Sequence, residues 1–214
     1  MRVVIADDTA LFRQGLARLL TETGIDVVGE AADAAGIITL AERERPDAAI
    51  VDIRMPPTHS DEGLVAAETI RKQVPDVAVL VLSQYVEASY ALRLIGDQQG
   101  YCGYLLKDRV LNAGELADAL KRVTAGELVV DRALVDAMLA RRRAADALDA
   151  LSTREREVLA LMAEGLTDRG IARRLWITPA TVETHVRHIL QKLSLPESAA
   201  NNRRVHAVLA YLRA

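Results

Sequence analysis

The chain of 214 residues is half hydrophobic, has only 3% aromatic residues and carries a formal net charge of −3. That balance excludes a disordered or collagen-like polymer and leaves room for one large or two small domains with aliphatic cores. The single cysteine, Cys102, excludes a disulfide framework within the chain and points to a reducing compartment. No stretch approaches the roughly 18 apolar residues of a membrane helix. The apolar run after Met1 is too short for a signal peptide and runs into acids. The expectation is a cytoplasmic protein without a membrane partner.

Charge is unevenly spread. Residues 1–150 carry 17 Lys/Arg against 24 Asp/Glu, whereas residues 151–214 carry 10 against 6. An acidic front and a basic back suggest a different partner for each half.

The front half alternates β-branched runs with helical spacing. Strand-like runs fall at 2–6, 25–30, 48–52, 77–82 and 103–106. They are nearly continuous in apolar residues, as strands covered on both faces are. Between them, Leu11, Leu16, Leu19 and Leu20 share one helical face, and so do Leu64, Ala67 and Ile70. The pattern predicts an α/β domain: a doubly wound, five-stranded parallel sheet with helices on both sides. Such folds place their sites at the carboxyl ends of strands.

Chemistry-bearing residues stand at those ends. The first strand runs into Asp7-Asp8, the third ends in Asp52, the fourth in Ser83, and the fifth runs into Lys107. Each alone is an ordinary cap or turn residue. Together, three carboxylates repel one another, and a divalent cation with hard oxygen ligands, Mg²⁺, resolves the repulsion. Lys107 would supply a point charge to a phosphoryl group, and Ser83 a hydroxyl hydrogen bond.

Residues 123–149 read as a linker with a short helix followed by a flexible tether. Arg141-Arg142-Arg143 lies within it and reads as a solvated helix face. Residues 150–214 read as all helix. Ser152 and Glu155 form a capping-box pattern ahead of Val158, Leu159 and Leu161. Thr167 caps a short helix carrying Ile171, Ala172 and Leu175, and Trp176 is read as a core or inter-helix filler. Thr178-Pro179 then starts a longer helix with Val182, Val186, Ile189, Leu190 and Leu193 on one stripe. The opposite face shows Thr181, Thr184, Arg187, His188 and Gln191. Short helix, break and longer helix with a polar outer face make a helix-turn-helix outline. In the last segment Val205, Val208, Leu209 and Leu212 recur at helical spacing, to be shared between core and dimer contact.

Asp7-Asp8, Val51-Asp52-Ile53-Arg54-Met55-Pro56, Leu82-Ser83 and Gly103-Tyr104-Leu105-Leu106-Lys107-Asp108 resemble the receiver domain of response regulators, over about residues 1–122. Leu151-Ser152-Thr153-Arg154-Glu155-Arg156-Glu157, Ile171-Ala172-Arg173-Arg174-Leu175 and Thr181-Val182-Glu183-Thr184-His185-Val186 resemble LuxR-type DNA-binding domains. The combination resembles the NarL/FixJ class, with a flavodoxin-like receiver and a second, all-α helix-turn-helix domain.

The resemblance implies that Asp52 is the phosphoacceptor for a sensor histidine kinase. It implies that Asp7, Asp8, Asp52 and the main-chain carbonyl of Arg54 bind Mg²⁺. It makes Ser83 and Lys107 phosphoryl contacts and Tyr104 a switching aromatic. The surface that responds would lie at about 86–97 and 112–125. Residues 178–193 would enter the major groove of double-stranded DNA, with Thr181, Thr184 and Arg187 as leading contacts and His188 and Lys192 on phosphate. A homodimer is expected, with RNA polymerase as a candidate partner. Glu183 stands where many members carry lysine, so it either changes sequence preference or pairs with Arg187.

Other classes fit less well. A haloacid-dehalogenase-type hydrolase needs an acid two residues after its nucleophile, where this chain has Arg54. A dinucleotide enzyme needs a glycine-rich turn where Asp7-Asp8 stands. The expectation is a transcription regulator rather than an enzyme. The alternative is a regulator that works without phosphorylation and uses the receiver fold to dimerise.

Overall fold

The computed structural model describes residues 1–96, 101–195 and 202–213. The chain divides into two compact units, Met1–Met138 and Leu139–Ala214.

In the first unit, strands β1 (Arg2–Ala6), β2 (Asp26–Ala31), β3 (Ala48–Asp52), β4 (Ala78–Ser83), β5 (Cys102–Leu106) and β6 (Leu128–Val130) form one sheet in the order 2-1-3-4-5-6. Every neighbouring pair is parallel. Helices α1 (Ala10–Glu22), α2 (Ala34–Glu44), α3 (Glu62–Gln73), α4 (Ala88–Ile95) and α5 (Ala113–Thr124) connect the strands. Side chains of successive strand residues leave opposite faces, and the core divides accordingly. Val4, Ala49, Val51, Val79 and Val81 pack with Ile37, Leu64, Ile70 and Leu94 of α2, α3 and α4. Val3, Ile5, Ile50, Leu80 and Leu82 pack with Leu16, Leu20, Leu116 and Leu120 of α1 and α5. This is the doubly wound sheet expected from the continuous apolar runs. Strand order reverses between β1 and β3, which opens a crevice at their carboxyl ends.

The sheet has six strands where the sequence pattern predicts five. The sixth, Leu128–Val130, has three residues, too few to show a period, and pairs with the edge of β5. The segment read as a tether is also ordered. Helix α6 runs unbroken over Arg132–Asp149. It contains neither glycine nor proline and is rich in alanine, leucine and arginine, all good helix formers.

In the second unit, α7 (Thr153–Ala163), α8 (Asp168–Leu175), α9 (Pro179–Lys192) and α10 (Arg203–Arg213) follow. The caps read from sequence are formed. The Ser152 hydroxyl accepts from Glu155 N while Glu155 accepts from Ser152 N, and Thr167 and Thr178 accept from Gly170 N and Thr181 N. Val158, Leu159, Ile171, Val182, Val186 and Ile189 build the core.

One expectation changes, and the division of the α10 stripe becomes visible. Trp176 is no core filler: it caps α8 in the left-handed region at φ 56° and is 94% exposed. In α10 the core face is Ala207, with Val208 and Tyr211 packed beside it, while Val205, Leu209 and Leu212 stand exposed.

One glycine fixes the approach of α3 to β3. Gly63 N donates to Ile53 O at 2.8 Å, and a Cβ there would lie 1.7 Å from the Asp52 carbonyl oxygen. That obstacle is backbone and cannot rotate away. Gly63→Ala is therefore expected to destabilise the first unit by roughly 1–3 kcal/mol, as overpacking does. Thermal denaturation checks it; an unchanged melting temperature would show that α3 floats free of β3.

Candidate functional site

Four strand ends converge on one pocket. Asp7 follows β1, Asp52 ends β3, Ser83 ends β4 and Lys107 follows β5. Asp8, Asp52, Arg54, Ser83 and Lys107 line the pocket, joined by His59 from the loop after β3. Asp7, Asp52 and Ser83 are buried, and Asp8 is half-buried. One carboxylate oxygen from each of Asp7, Asp8 and Asp52 lies within 4.8 Å of the others.

Lys107 braces this cluster. Its Nζ stands 2.7 Å from Asp7 Oδ2 and 3.0 Å from Asp52 Oδ2, and 4.7 Å above the Phe12 ring. Lys107 N donates to Ser83 O at 2.8 Å, which ties the lysine's backbone to the end of β4. Asp7 is further held by Thr9 N, at 2.9 Å from Oδ1. Asp8 Oδ2 faces His59 Nδ1 at 3.3 Å. The sequence reading did not single out His59. Only the fold of the 55–63 loop brings it to the pocket.

Burial pushes the Asp52 carboxyl up from 3.8 to about 6; Lys107 opposes this, and the charges of Asp7 and Asp8 add to it. An acid crowded in this way gains from a cation. The donor set suits Mg²⁺: all oxygen, three carboxylates, and a mouth open to water and phosphate.

The expected switch residues are placed as follows. Ser83 Oγ donates to Tyr85 O at 3.0 Å and accepts from Tyr85 N at 3.1 Å, so the turn after β4 holds it. Tyr104 is fully buried in the core on the α2–α4 face, and its hydroxyl has no hydrogen-bond partner among the described residues. Burial pushes its phenol up to about 12. Its ring is therefore already inward. Arg54 points away from the carboxylates: it pairs with Glu87 at 2.6 Å and covers the Tyr85 ring at 4.9 Å.

In the second unit, Thr184, Arg187 and His188 stand on the exposed face of α9, with Thr181 half-buried at its start. Thr181 Oγ1 is 2.8 Å from Thr178 Oγ1, and Thr184 Oγ1 donates to Ala180 O at 3.0 Å. Among the described residues Glu183 and Arg187 form no ion pair, so both charges face outward.

Lys192 differs from its expected place on phosphate. Its Nζ lies 2.7 Å from Glu155 Oε2 and 3.1 Å from Ala150 O. His188 Nδ1 lies 3.8 Å from the other oxygen of Glu155. Burial works to raise the Glu155 carboxyl, but the hydrogen bonds from Lys192 and Ser152 outweigh it and hold it below the ordinary range. A buried carboxylate keeps its cation, because losing it leaves the charge uncompensated.

Two outcomes test this geometry. The rise of Asp52 from 3.8 to about 6 is equivalent to about 3 kcal/mol between its protonation states. Its neutral form favours the fold; that contribution is complete below pH 3.8 and is lost as pH rises through about 6. In metal-free buffer Asp52→Asn is thus expected to stabilise the chain at pH 7.5, by roughly 1–2 kcal/mol after screening by water at the pocket mouth. The gain shrinks toward pH 4. Thermal melts of both proteins across this range decide it; a gain independent of pH would remove electrostatics as its cause. For Lys192→Met, a loss of roughly 1–2 kcal/mol in the second unit is expected from the orphaned Glu155, with Lys192→Arg restoring it. A Met variant that melts like the parent would free Lys192 for phosphate.

Comparison with known proteins agrees with both units. Residues 3–121 match the response regulator receiver domain, and residues 149–208 match the bacterial regulatory proteins of the luxR family. A Mycobacterium tuberculosis protein named as a probable transcriptional regulatory protein, NarL, is 37% identical over 203 residues, spanning 94% of this chain and 91% of its own. A structure of the Salmonella typhimurium response regulator RcsB, described in terms of its DNA interaction, is 25% identical, with a TM-score of 0.63 over 99% of this chain and 97% of that one. A structure of two RcsB dimers bound to two parallel DNAs is 25% identical, with a TM-score of 0.60 over the same shares. With the receiver pocket and the helix-turn-helix in one chain, the protein belongs to the response regulators of two-component systems, in the NarL/FixJ class that joins a receiver to a LuxR-family DNA-binding domain.

Proposed function

We propose that Asp52 accepts a phosphoryl group from a sensor histidine kinase and that the modification controls DNA binding by α9. The observation that carries this is the Lys107 brace, which holds Asp7 and Asp52 in one pocket at 2.7 and 3.0 Å. An Asp52 carboxylate oxygen attacks the phosphorus of the kinase phosphohistidine in line. The P–N bond breaks, the electron pair returns to the imidazole, and an acyl phosphate forms. Asp7, Asp8, Asp52 and the Arg54 carbonyl would hold Mg²⁺, which offsets charge on the phosphoryl oxygens. Lys107 moves from Asp52 to the transferred group, since phosphorylation removes the carboxylate charge it was pairing and places new charge on the phosphoryl oxygens. Ser83 exchanges its bond to Tyr85 O for a phosphoryl oxygen. That pulls the turn after β4 over the already buried Tyr104 and biases the surface of α4 and α5.

The functional modules are 1–122 as receiver, 123–149 as connection and 150–214 as DNA-binding domain, a division that the two family matches support. Thr181, Thr184 and Arg187 would read bases and phosphates, with His188 at the rim. Lys192 serves them indirectly, by fixing the end of α9 to Glu155. The exposed stripe of Val205, Leu209 and Leu212 on α10 is the dimer contact, so that two domains meet two half-sites. RNA polymerase is the downstream partner. The role is regulatory rather than enzymatic turnover, and the compartment is the cytoplasm; among the described residues no helix is long and apolar enough to cross a membrane.

Intact-protein mass after incubation with a small acyl phosphate and Mg²⁺ tests the chemistry. The parent is expected to gain one phosphoryl group and Asp52→Asn none. A folded parent that gains nothing would turn the reading to phosphorylation-independent control.

A further inference from the structure

We propose that Trp176 is a DNA-backbone anchor, its exposed indole docking with Arg169 and Arg173 against phosphate and sugar beside the groove that α9 enters. The inference rests on the DNA-binding reading of α9 and adds a contact that no motif assigned. Large aromatic side chains are seldom left in water; Trp176 is 94% exposed. Its backbone sits at φ 56°, a region bulky residues rarely occupy and where glycine is the usual helix cap. A tryptophan is thus held outward at a position where it contributes nothing to the core and strains the backbone.

Its surroundings select an occupant. Arg169, Ala172, Arg173, Ile177 and Pro179 line one concavity with it, without a carboxylate among them. Arg169 and Arg173 are exposed and form no ion pair among the described residues. Two unpaired cations around an indole fit a polyanion, and a second copy of the same surface would meet it with like charge. Position in the fold points to the duplex. In helix-turn-helix proteins the first helix crosses the backbone while the second puts its N-terminal residues on base edges. Trp176 lies in the turn between α8 and α9, two residues before the Thr178 cap. The indole N–H is a donor with no acceptor competing within its own ring, suited to a phosphate oxygen.

Trp176 is the chain's single tryptophan, so its fluorescence reports this surface alone. The full chain, before and after treatment with acyl phosphate and Mg²⁺, is titrated at low salt with dye-labelled mixed-sequence duplex. Binding is read by dye anisotropy and Trp176 exposure by acrylamide quenching. The expectation is that quencher access falls as duplex is added. Trp176→Asn is expected to weaken binding roughly tenfold while leaving the slope of log K against log salt unchanged, since no counterion is released by a neutral contact. Arg173→Ala lowers both the affinity and the slope, by about one unit. Asparagine tolerates the left-handed backbone, so Trp176→Asn should melt at or above the parent while binding worse, a divergence that a packing role would not produce.

Binding with unchanged quencher access and a Trp176→Asn variant of parental affinity would overturn the anchor and leave DNA binding intact. Shielding of Trp176 in the DNA-free chain would overturn it in favour of a protein contact. A parent that binds no duplex in either state would overturn the DNA-binding reading, and the anchor with it.

Discussion

The structure turns on electrostatic crowding at the carboxyl ends of β1 and β3. Three carboxylates meet where strand order reverses, and Lys107, just after β5, pairs with two of them, Asp7 and Asp52. Asp52 ends a strand buried on both faces and Asp7 directly follows one, so neither can retreat into solvent without disturbing the sheet. The fold therefore buries a carboxylate at a cost: burial displaces Asp52 upward, Lys107 opposes the shift, and the charges of Asp7 and Asp8 add to it. A bound cation would relieve it, whereas a phosphoryl group on Asp52 would add negative charge for that cation and Lys107 to offset. A site that destabilises its empty state is poised to respond to what fills it.

Much of the surrounding architecture follows from that requirement. The aliphatic, alternating strands lock register, because a slip of one residue would exchange the two cores. Gly63 lets α3 start against the Asp52 carbonyl. The Ser83–Tyr85 turn and the Lys107–Ser83 backbone bond knit β4 and β5 at the pocket. Arg54, drawn off to Glu87 and Tyr85, leaves the acids without a second competing cation.

Legibility in the sequence followed local strength. The first five strands, the acid, hydroxyl and amine residues at their ends, and the caps of α7, α8 and α9 were readable, because each rests on a period or a short-range hydrogen bond. Strand β6 was not, since three residues have no period and pair only because β5 offers an edge. Helix α6 was read short because its polar arginines hide a run without a breaker. Trp176 was misplaced by composition: tryptophan suggests a core, but its position as a left-handed cap is set by the turn. Lys192 is placed on phosphate by the resemblance, whereas its partner Glu155 lies 37 residues earlier and no local pattern joins them. His59 reaches Asp8 through the path of a loop, which sequence does not spell out.

Glu155 binds two helices through one carboxylate. It accepts from the start of α7 and holds the amine at the end of α9, so fraying at either terminus removes a partner from the other. Such sharing turns two local openings into one. Helix α9, which we propose faces DNA, then does not loosen by degrees; it is either held or lost together with the start of α7. For a reader of sequence, that all-or-none behaviour has a value of its own: a recognition surface that does not drift also does not blur its choice of site.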